Sequence, residues 1–175
     1  VIQNVTIKDG RSGRMVFVTV KTDIKSPRGV AIVEEQDIVY RGEPDRNAPP
    51  QPAQTAPGRA VWKHEVTPDP VMLFRYSALT FNGHRIHYDK PYVTGTEGYP
   101  DLIMNGGLTT LLTYELARTH ASTPIRFMSS RNVRALFVNR TITFCGEPST
   151  DNKTAKLWAQ DDTGAVALTA EAEFV

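Results

Sequence analysis

Two short segments of the sequence carry side chains whose types and spacing are suited to moving a proton. The first lies within residues 80–89 and holds Asn82, His84 and His87. The second is the run Asn105-Gly106-Gly107. Proton-handling side chains followed by a glycine-rich helix start suggest general acid–base chemistry combined with stabilisation of a developing oxyanion.

His87 and Asn82 can divide the work of activating a water molecule. An unperturbed histidine titrates near pH ~6.5, so it can give and take a proton at neutral pH. The Asn82 amide does not titrate in the useful range, but it can orient a water through its donor and acceptor atoms. Taken alone, the same spacing is also typical of histidines on a surface or in a satisfied core.

Gly106 is the candidate oxyanion donor because it stands at the start of a predicted helix. Four leucines recur at one-face helical spacing, which predicts a helix over about 106–120; they are Leu108, Leu111, Leu112 and Leu116. The first N–H groups of a helix lack internal acceptors and favour negative charge. Gly106 and Gly107 are equally compatible with close packing against the helix start, and both interpretations stay open.

A metal site is the alternative use of the histidines, and the sequence does not favour it. His84 and His87 are three residues apart, a spacing seen in metal ligands. No third ligand stands at a diagnostic distance, and Asp89 is equally typical of a turn. We therefore expect no metal, with His84 supporting His87 or lining the pocket.

Composition excludes several classes of protein. The 175 residues have a net charge of +1 and 40% hydrophobic content, which is typical of a globular protein with no broad attraction for nucleic acid or anionic membranes. The apolar runs are too short to span a bilayer, and no secretory signal is recognisable. Cys145 is the only cysteine, so a reducing, cytoplasmic compartment is expected.

The order of predicted elements indicates an α+β fold. Residues 15–24 and 29–41 read as a long antiparallel hairpin, and the proline-rich stretch 43–60 reads as a linker. A strand is predicted over 61–66, then a short helix and loop over 70–90. After the long helix, strands are predicted over 125–133, 135–144, 154–160 and 166–175. Such a set forms an antiparallel sheet wrapped around one central helix.

A weak internal repeat suggests how the first strands relate to the rest. Residues 30–39 resemble residues 166–175, and each segment follows a strand and a turn that ends at or near glycine. One interpretation is that any two hairpins look alike. The other is that 1–42 is the C-terminal hairpin of an incomplete first unit, 43–60 a linker, and 61–175 a complete second unit.

The chain resembles the MaoC-like hotdog-fold hydratases and dehydratases. The segments that carry the resemblance are Phe74 to Asn82, His84 to Asp89, Glu97 to Pro100, and, for the end of a first hotdog unit, Arg14 to Val20 with Glu34 to Arg41. The most similar branch comprises the mesaconyl-C4-CoA hydratases and the fungal-type 3-hydroxyacyl-thioester dehydratases, whose chains carry two tandem hotdog units.

The resemblance implies an acyl-thioester hydro-lyase, which reversibly hydrates an enoyl-CoA or dehydrates a 3-hydroxyacyl thioester. His87, Asn82 and Gly106 would be catalytic in this reading. The implied substrate-binding residues are Tyr76, His84, Arg85, Asn105 and Gly107. The implied assembly is a homodimer or higher homo-oligomer, with no cofactor beyond the thioester carrier, in the mitochondrial matrix if the source is eukaryotic.

Two positions depart from the pattern of the wider family. Asn82 stands where an aspartate usually lies five residues before the catalytic histidine, and Asn105-Gly106 replaces His-Gly at the helix start. Each change replaces an ionisable group by an amide, which keeps hydrogen bonding but removes a proton acceptor. Two alternatives therefore stay open, a hotdog acyl-CoA thioesterase and a catalytically inactive acyl-thioester-binding subunit.

Overall fold

The computed structural model describes residues 1–10, 13–42 and 52–175, which form two compact units, Val1–Gln51 and Pro52–Val175. The first part of the predicted linker, residues 43–51, lies outside the described residues. Residues 52–60, also assigned to the linker from sequence, belong to the second unit. Within the described residues, no helix is both long and apolar enough to cross a membrane.

The first unit is a three-stranded antiparallel sheet in the order β1-β2-β3. Its strands are β1 (Ile2–Gly10), β2 (Gly13–Ser26) and β3 (Gly29–Arg41). The predicted β2–β3 hairpin is present; its turn is formed by Pro27 and Arg28, and Gly29, which follows the turn, has a φ of +115°. Strand β1 was not predicted, because Asn4, Lys8 and Asp9 interrupt the apolar alternation that signals a strand.

The second unit is a five-stranded antiparallel sheet packed around one long helix, as the sequence predicts. Its order is β4-β6-β7-β8-β5. The strands are β4 (Trp62–Val66), β5 (Ile125–Asn132), β6 (Ile142–Pro148), β7 (Thr154–Gln160) and β8 (Val166–Phe174). The helices are α1 (Pro70–Leu79), α2 (Lys90–Gly95) and α3 (Gly106–His120), with a short 3-10 helix at Arg85–His87.

Helix α3 provides the apolar face that the sheet covers. Leu108 and Leu116 are buried in the main core, and Leu112 packs against it. Leu111 is 47% exposed, so its predicted place on the buried face is wrong. The opposing face of β8 is buried as predicted, with Val166, Leu168, Ala170, Ala172 and Phe174 turned inward.

The strand predicted over 135–144 is wrong in both of its bounds. Residues 135–141 are irregular, because Asn139 adopts a left-handed φ of +59° and its N–H bonds the carbonyl of Pro68 at 2.7 Å. Phe137 instead forms an isolated bridge with Ile103. Strand β6 begins at Ile142 and runs through Cys145-Gly146, where the sequence suggested an end.

Candidate active site

His87 is buried and held in one orientation by the backbone. Its side chain is 7% exposed, at the end of the 3-10 helix. The Nδ1 atom lies 2.7 Å from the carbonyl oxygen of Ile103. A carbonyl only accepts, so Nδ1 carries the hydrogen and the lone pair of the neutral ring is on Nε2. The N–H of Ile103 donates back to the carbonyl of Ile86 at 3.0 Å, which ties the two segments together.

The surroundings of His87 favour its neutral form. Burial lowers the pKa of the imidazole, the bond to the Ile103 carbonyl partly opposes this, and the nearby His84 lowers the pKa further. The net shift of the pKa is downward from the ordinary value. A neutral imidazole with a free Nε2 lone pair is a proton acceptor, as a general base requires.

His84 differs from His87 in its exposure. It lies on the surface, and its ring meets the ring of His87 edge-on with a centroid separation of 5.6 Å. This contact places His84 beside the buried imidazole; that His84 supports His87 or lines the pocket stays a prediction. Among the described residues, no group of three or more histidine, cysteine or acidic side chains could hold a metal ion.

Asn82 stabilises the loop that carries the histidines. Its Oδ1 accepts a hydrogen bond from the backbone N–H of His84 at 3.0 Å, and its own N–H donates to the carbonyl of Ser77 at 2.8 Å. Phe81, just before it, has a left-handed φ of +53°. The side chain of Asn82 therefore forms an Asx-type turn. That Asn82 also holds a water stays a prediction.

Arg85 is paired within the same loop. Its guanidinium donates two hydrogen bonds to one carboxylate oxygen of Asp89, at 3.0 and 2.7 Å, and lies over the ring of Tyr92. The hydrogen bond from Arg85 lowers the pKa of Asp89, and a backbone bond from Tyr92 lowers it further. Asp89 is therefore a paired cap of α2, not a free base. Substrate binding by Arg85 stays a prediction.

The start of α3 differs from the starts of the two other α-helices. Asp69 caps α1 by accepting from the N–H of Met72, and Asp89 caps α2 by accepting from the N–H of Tyr92. Asn105 occupies the same position in α3 and makes no such bond. Its Nδ2 instead donates to the hydroxyl oxygen of Ser77 at 3.3 Å. The first N–H groups of α3 therefore receive no cap from the Asn105 side chain and point out of the helix end.

The described residues also leave one atom of the Asn105 side chain unsatisfied. Asn105 is 2% exposed, and its Oδ1 is buried without a hydrogen-bond partner. Buried polar atoms in folded proteins nearly always have a partner, so this exception needs a physical explanation. The helix start therefore presents N–H donors and an amide acceptor together.

Comparison with known proteins agrees with the chemistry that this geometry suggests. The sequence profile of the hydroxyacyl-thioester dehydratase type 2 family matches residues 2–138. This chain belongs to that family. The match covers β1 to the segment after β5, and it includes His87 and the start of α3.

Two relatives and one solved structure place the chain more closely. The mesaconyl-C(4)-CoA hydratase of Chloroflexus aurantiacus is 47% identical over 175 residues, covering 99% of this chain and 61% of that protein. The mitochondrial hydroxyacyl-thioester dehydratase type 2 of Schizosaccharomyces pombe is 30% identical over 138 residues, covering 76% of this chain and 43% of that protein.

The solved structure is a MaoC-like dehydratase from Phytophthora capsici. It superposes with a TM-score of 0.72 at 15% identity, covering 98% of this chain and 62% of that one. This likeness confirms the predicted hotdog fold. The chain thus spans 61% and 43% of the lengths of the two curated relatives.

Close packing explains why this member of the family has glycine at position 107. A methyl group there would clash with the hydroxyl of Tyr76, whose ring packs against the main core. At Gly106 an added Cβ would lie 3.1 Å from Nδ2 of Asn132, at the end of β5. Tyr76 therefore lies beside the start of α3, against the backbone at Gly107; that it binds substrate stays a prediction.

Three groups of the site could not be found by searching for chemistry in the sequence. They are the hydroxyl of Ser77, the carbonyl of Ile103 and the side chain of Asn132. Ser77 lies one turn after Leu73 on the buried face of α1, so helical periodicity marks it as buried but not as a partner of Asn105. The Ile103 carbonyl is a backbone group, which no side-chain motif reports.

The candidate site lies outside a cavity on the outer face of the sheet. That cavity, of about 390 Å³, is lined by Ser129, Arg131, Lys156 and Glu171 together with Pro57, on the side of the sheet away from α3. Neither His87 nor Asn105 lines it. Sheet alternation explains the location, because residues 129, 131, 156 and 171 point away from the core.

Proposed function

We propose that this chain is the catalytic part of an acyl-thioester hydro-lyase, which reversibly hydrates an enoyl-CoA or dehydrates a 3-hydroxyacyl thioester. One observation carries the proposal. His87 is buried with Nδ1 committed to the Ile103 carbonyl, and three residues after Ile103 helix α3 begins without a side-chain cap. The family, and the names of the Chloroflexus and fission-yeast relatives, support this reaction class.

The proposed reaction uses these groups in sequence. His87 Nε2 removes a proton from water as the oxygen bonds to the β-carbon of the enoyl thioester. The electron pair of the double bond moves through the α-carbon to the thioester oxygen. The N–H of Gly106 and the positive end of α3 stabilise that oxyanion; one such donor contributes roughly 3 kcal/mol in comparable sites. His87 then returns the proton to the α-carbon.

The substrate we propose is a 2-enoyl or branched C4–C5 dicarboxylic thioester of coenzyme A. The support is the name of the Chloroflexus relative, which specifies mesaconyl-C(4)-CoA. Addition of water changes no oxidation state overall, so we propose no cofactor beyond the thioester carrier. We propose His84, Arg85, Tyr76, Asn105 and Gly107 as the substrate contacts.

An assay of the purified chain with crotonyl-CoA and mesaconyl-CoA tests the function. Loss of absorbance at the enoyl-thioester band without release of thiol is the expected result. Release of free thiol would instead identify a thioesterase. Binding of the thioester without either change would identify an inactive binding subunit, for which the loss of an acid at Asn82 would be the reason.

We also propose that the active assembly is a homodimer or higher homo-oligomer, acting in the cytoplasm or in the mitochondrial matrix of a eukaryote. Strand β5 is an edge of its sheet and exposes Phe127, which is 55% accessible. Such an edge offers unpaired backbone groups for another chain. Light scattering coupled to size exclusion tests this: a mass of one chain at micromolar concentration would contradict it.

The first unit is, in this proposal, the C-terminal part of another hotdog unit. Its order β1-β2-β3 corresponds to β6-β7-β8, but its described residues, 1–10 and 13–42, include no helix, and Val5, Ile7, Ile24 and Ile32 are exposed. Hydrogen exchange provides a check. Amides of β1–β3 should exchange faster than those of β6–β8; equal protection would mean that another surface covers the sheet.

A further inference from the structure

The side-chain oxygen of Asn105 is a hydrogen-bond acceptor without a partner, and the proposed reaction needs such an acceptor. Among the described residues, only two buried side-chain polar atoms lack a hydrogen bond, Asn105 Oδ1 and Trp158 Nε1. Trp158 lies on β7 and packs with Cys145 and Val166, away from the site. Asn105 begins α3, the helix whose first N–H groups are uncapped.

The oxygen is held in place by the other end of the same amide. Asn105 Nδ2 donates to Ser77 Oγ, and Ser77 is itself 4% exposed. The carbonyl of Ser77 accepts from the N–H of Asn82, at the start of the histidine loop. Ser77 therefore connects the Asn105 side chain to the loop that carries His87.

His87 is hydrogen-bonded to the segment just before the same amide. Its Nδ1 is bonded to the carbonyl of Ile103, two residues before Asn105, and successive Cα atoms are about 3.8 Å apart. Leu73, one turn before Ser77 on α1, packs with Ile103 and Ile86. One face of α1 therefore contacts both parts of the site. Ser77 on this face bonds Asn105, and Leu73 packs against the residues that position His87.

The side-chain oxygen of Asn82, in contrast, already has a hydrogen-bond donor. Its Oδ1 already accepts the His84 N–H in the Asx turn, and the residue is half-buried. An acceptor that also fixes a turn has less freedom to follow a reacting water. Of the two amides that replace ionisable groups of the wider family, Asn105 is the one with an uncommitted acceptor.

We infer that Asn105 Oδ1 is the acceptor that holds the reacting water beside His87, the role that sequence assigns to Asn82. This inference rests on the proposed hydro-lyase function. One hydrogen of the water goes to His87 Nε2 as its oxygen bonds to the β-carbon. The other hydrogen stays on that oxygen, hydrogen-bonded to Asn105, and becomes the 3-hydroxyl hydrogen. In dehydration the same amide accepts from the 3-hydroxyl group. Ser77 is a positioning residue that orients the amide.

Paired variants of the two amides test the inference. Asn105→Leu keeps the approximate shape and removes the acceptor, so kcat for enoyl-CoA hydration should fall about 100-fold with a smaller change in KM. Asn82→Ala should lower kcat by less than about tenfold, because only the turn is weakened. Circular dichroism establishes that each variant is folded. A larger loss in Asn82→Ala than in Asn105→Leu would overturn the inference.

Two conservative variants separate catalysis from structure. Asn105→Asp retains an acceptor and should keep more activity than Asn105→Leu, with a new acidic limb in the kcat profile as the carboxylate titrates. Ser77→Ala should lower kcat, and Ser77→Thr should restore part of it. Equal activity of Asn105→Asp and Asn105→Leu would show that only packing matters at this position.

A crystal structure of the chain provides a readout that does not depend on turnover. We expect an ordered water within hydrogen-bonding distance of Asn105 Oδ1. A donor from the protein itself in that place would overturn the inference even in an active enzyme. If the unmodified chain hydrates neither thioester, the proposed function fails, and the occupant of Oδ1 still decides whether Asn105 is a water acceptor.

Discussion

The loop from Asn82 to Asp89 and the start of α3 are both rich in polar groups, but they use them in opposite ways. In the loop, Asn82 bonds the N–H of His84, Arg85 bonds Asp89, and Asp89 caps α2. At the start of α3, Asn105 leaves the helix uncapped and its own Oδ1 without a partner. Polar groups that satisfy one another fix a conformation, whereas a buried acceptor without a protein partner can still accept a hydrogen bond from a bound molecule.

His87 is the exception within the loop, and burial is the reason. Sequence spacing presents His84 and His87 as a pair, but only His87 is removed from solvent and has a backbone acceptor for Nδ1. The comparison therefore assigns chemistry to one histidine of the loop and to the unsatisfied helix start. The other polar residues of the loop hold these groups in place.

The largest expected effect separates the two histidines. His87→Gln should lower kcat for enoyl-thioester hydration by about 10²–10⁴-fold, because general acid–base catalysis typically contributes that factor. His84→Gln, the matched exposed control, should lower it by less than about tenfold. Spectrophotometry of the enoyl band measures both. Equal losses would show that burial does not distinguish the pair.

The second effect concerns the backbone at the helix start. Gly107→Ala should destabilise the chain by about 1–3 kcal/mol because the methyl group collides with the Tyr76 hydroxyl. In an ordinary helix the same change stabilises by about 1 kcal/mol. Urea unfolding measures the sign. Tyr76→Phe combined with Gly107→Ala should recover much of the loss; no recovery would mean that the hydroxyl is not the obstacle.

The pH dependence of stability follows from the lowered pKa of His87. Above an unfolded-state pKa of about 6.5, neither state binds a proton at this residue, and its contribution is fully present. As the pH falls below that value, the unfolded chain takes up a proton that the folded chain resists, so stability decreases until the folded pKa is reached. Urea midpoints between pH 8 and pH 5 should therefore fall less in His87→Asn than in the unmodified chain. Parallel profiles would contradict the burial of a neutral His87.

The smallest effect is expected in the loop. Arg85→Ala removes an exposed ion pair with Asp89, and such pairs are largely screened by water and salt. We expect a slight decrease in the urea midpoint at low ionic strength that disappears at high salt. The mutant should still hydrate enoyl thioester unless Arg85 also contacts the carrier, in which case KM alone would rise.

Much of the fold is predictable from periodicity. Helix α3 and strands β7 and β8 follow patterns with long, regular apolar spacing. Residues 135–141 were wrongly predicted as part of a strand. Their apolar side chains are packed in the protein, but the backbone is irregular because Asn139 adopts a left-handed conformation. Strand β1 was missed because Asn4, Lys8 and Asp9 interrupt its apolar alternation.

The site is less predictable, for a physical reason. The resemblance singled out His87, Asn82 and Gly106, but no motif reports whether an amide is already hydrogen-bonded. That depends on Ser77 and on the carbonyl of Ile103, which tertiary packing brings to Asn105 and His87. The sequence locates the candidate residues. Only the structure shows which of their polar atoms are already hydrogen-bonded and which are not.

The tautomer and pKa of His87 test the central claim most directly. Nitrogen-15 NMR of the chain labelled at histidine, with His87→Gln to assign the signal, reports both through the ring nitrogen shifts. We predict a neutral ring protonated at Nδ1 at pH 7, with a pKa below the ordinary value of about 6.5. A ring protonated at Nε2, or a pKa above that value, would contradict the assignment of Nε2 of His87 as the base.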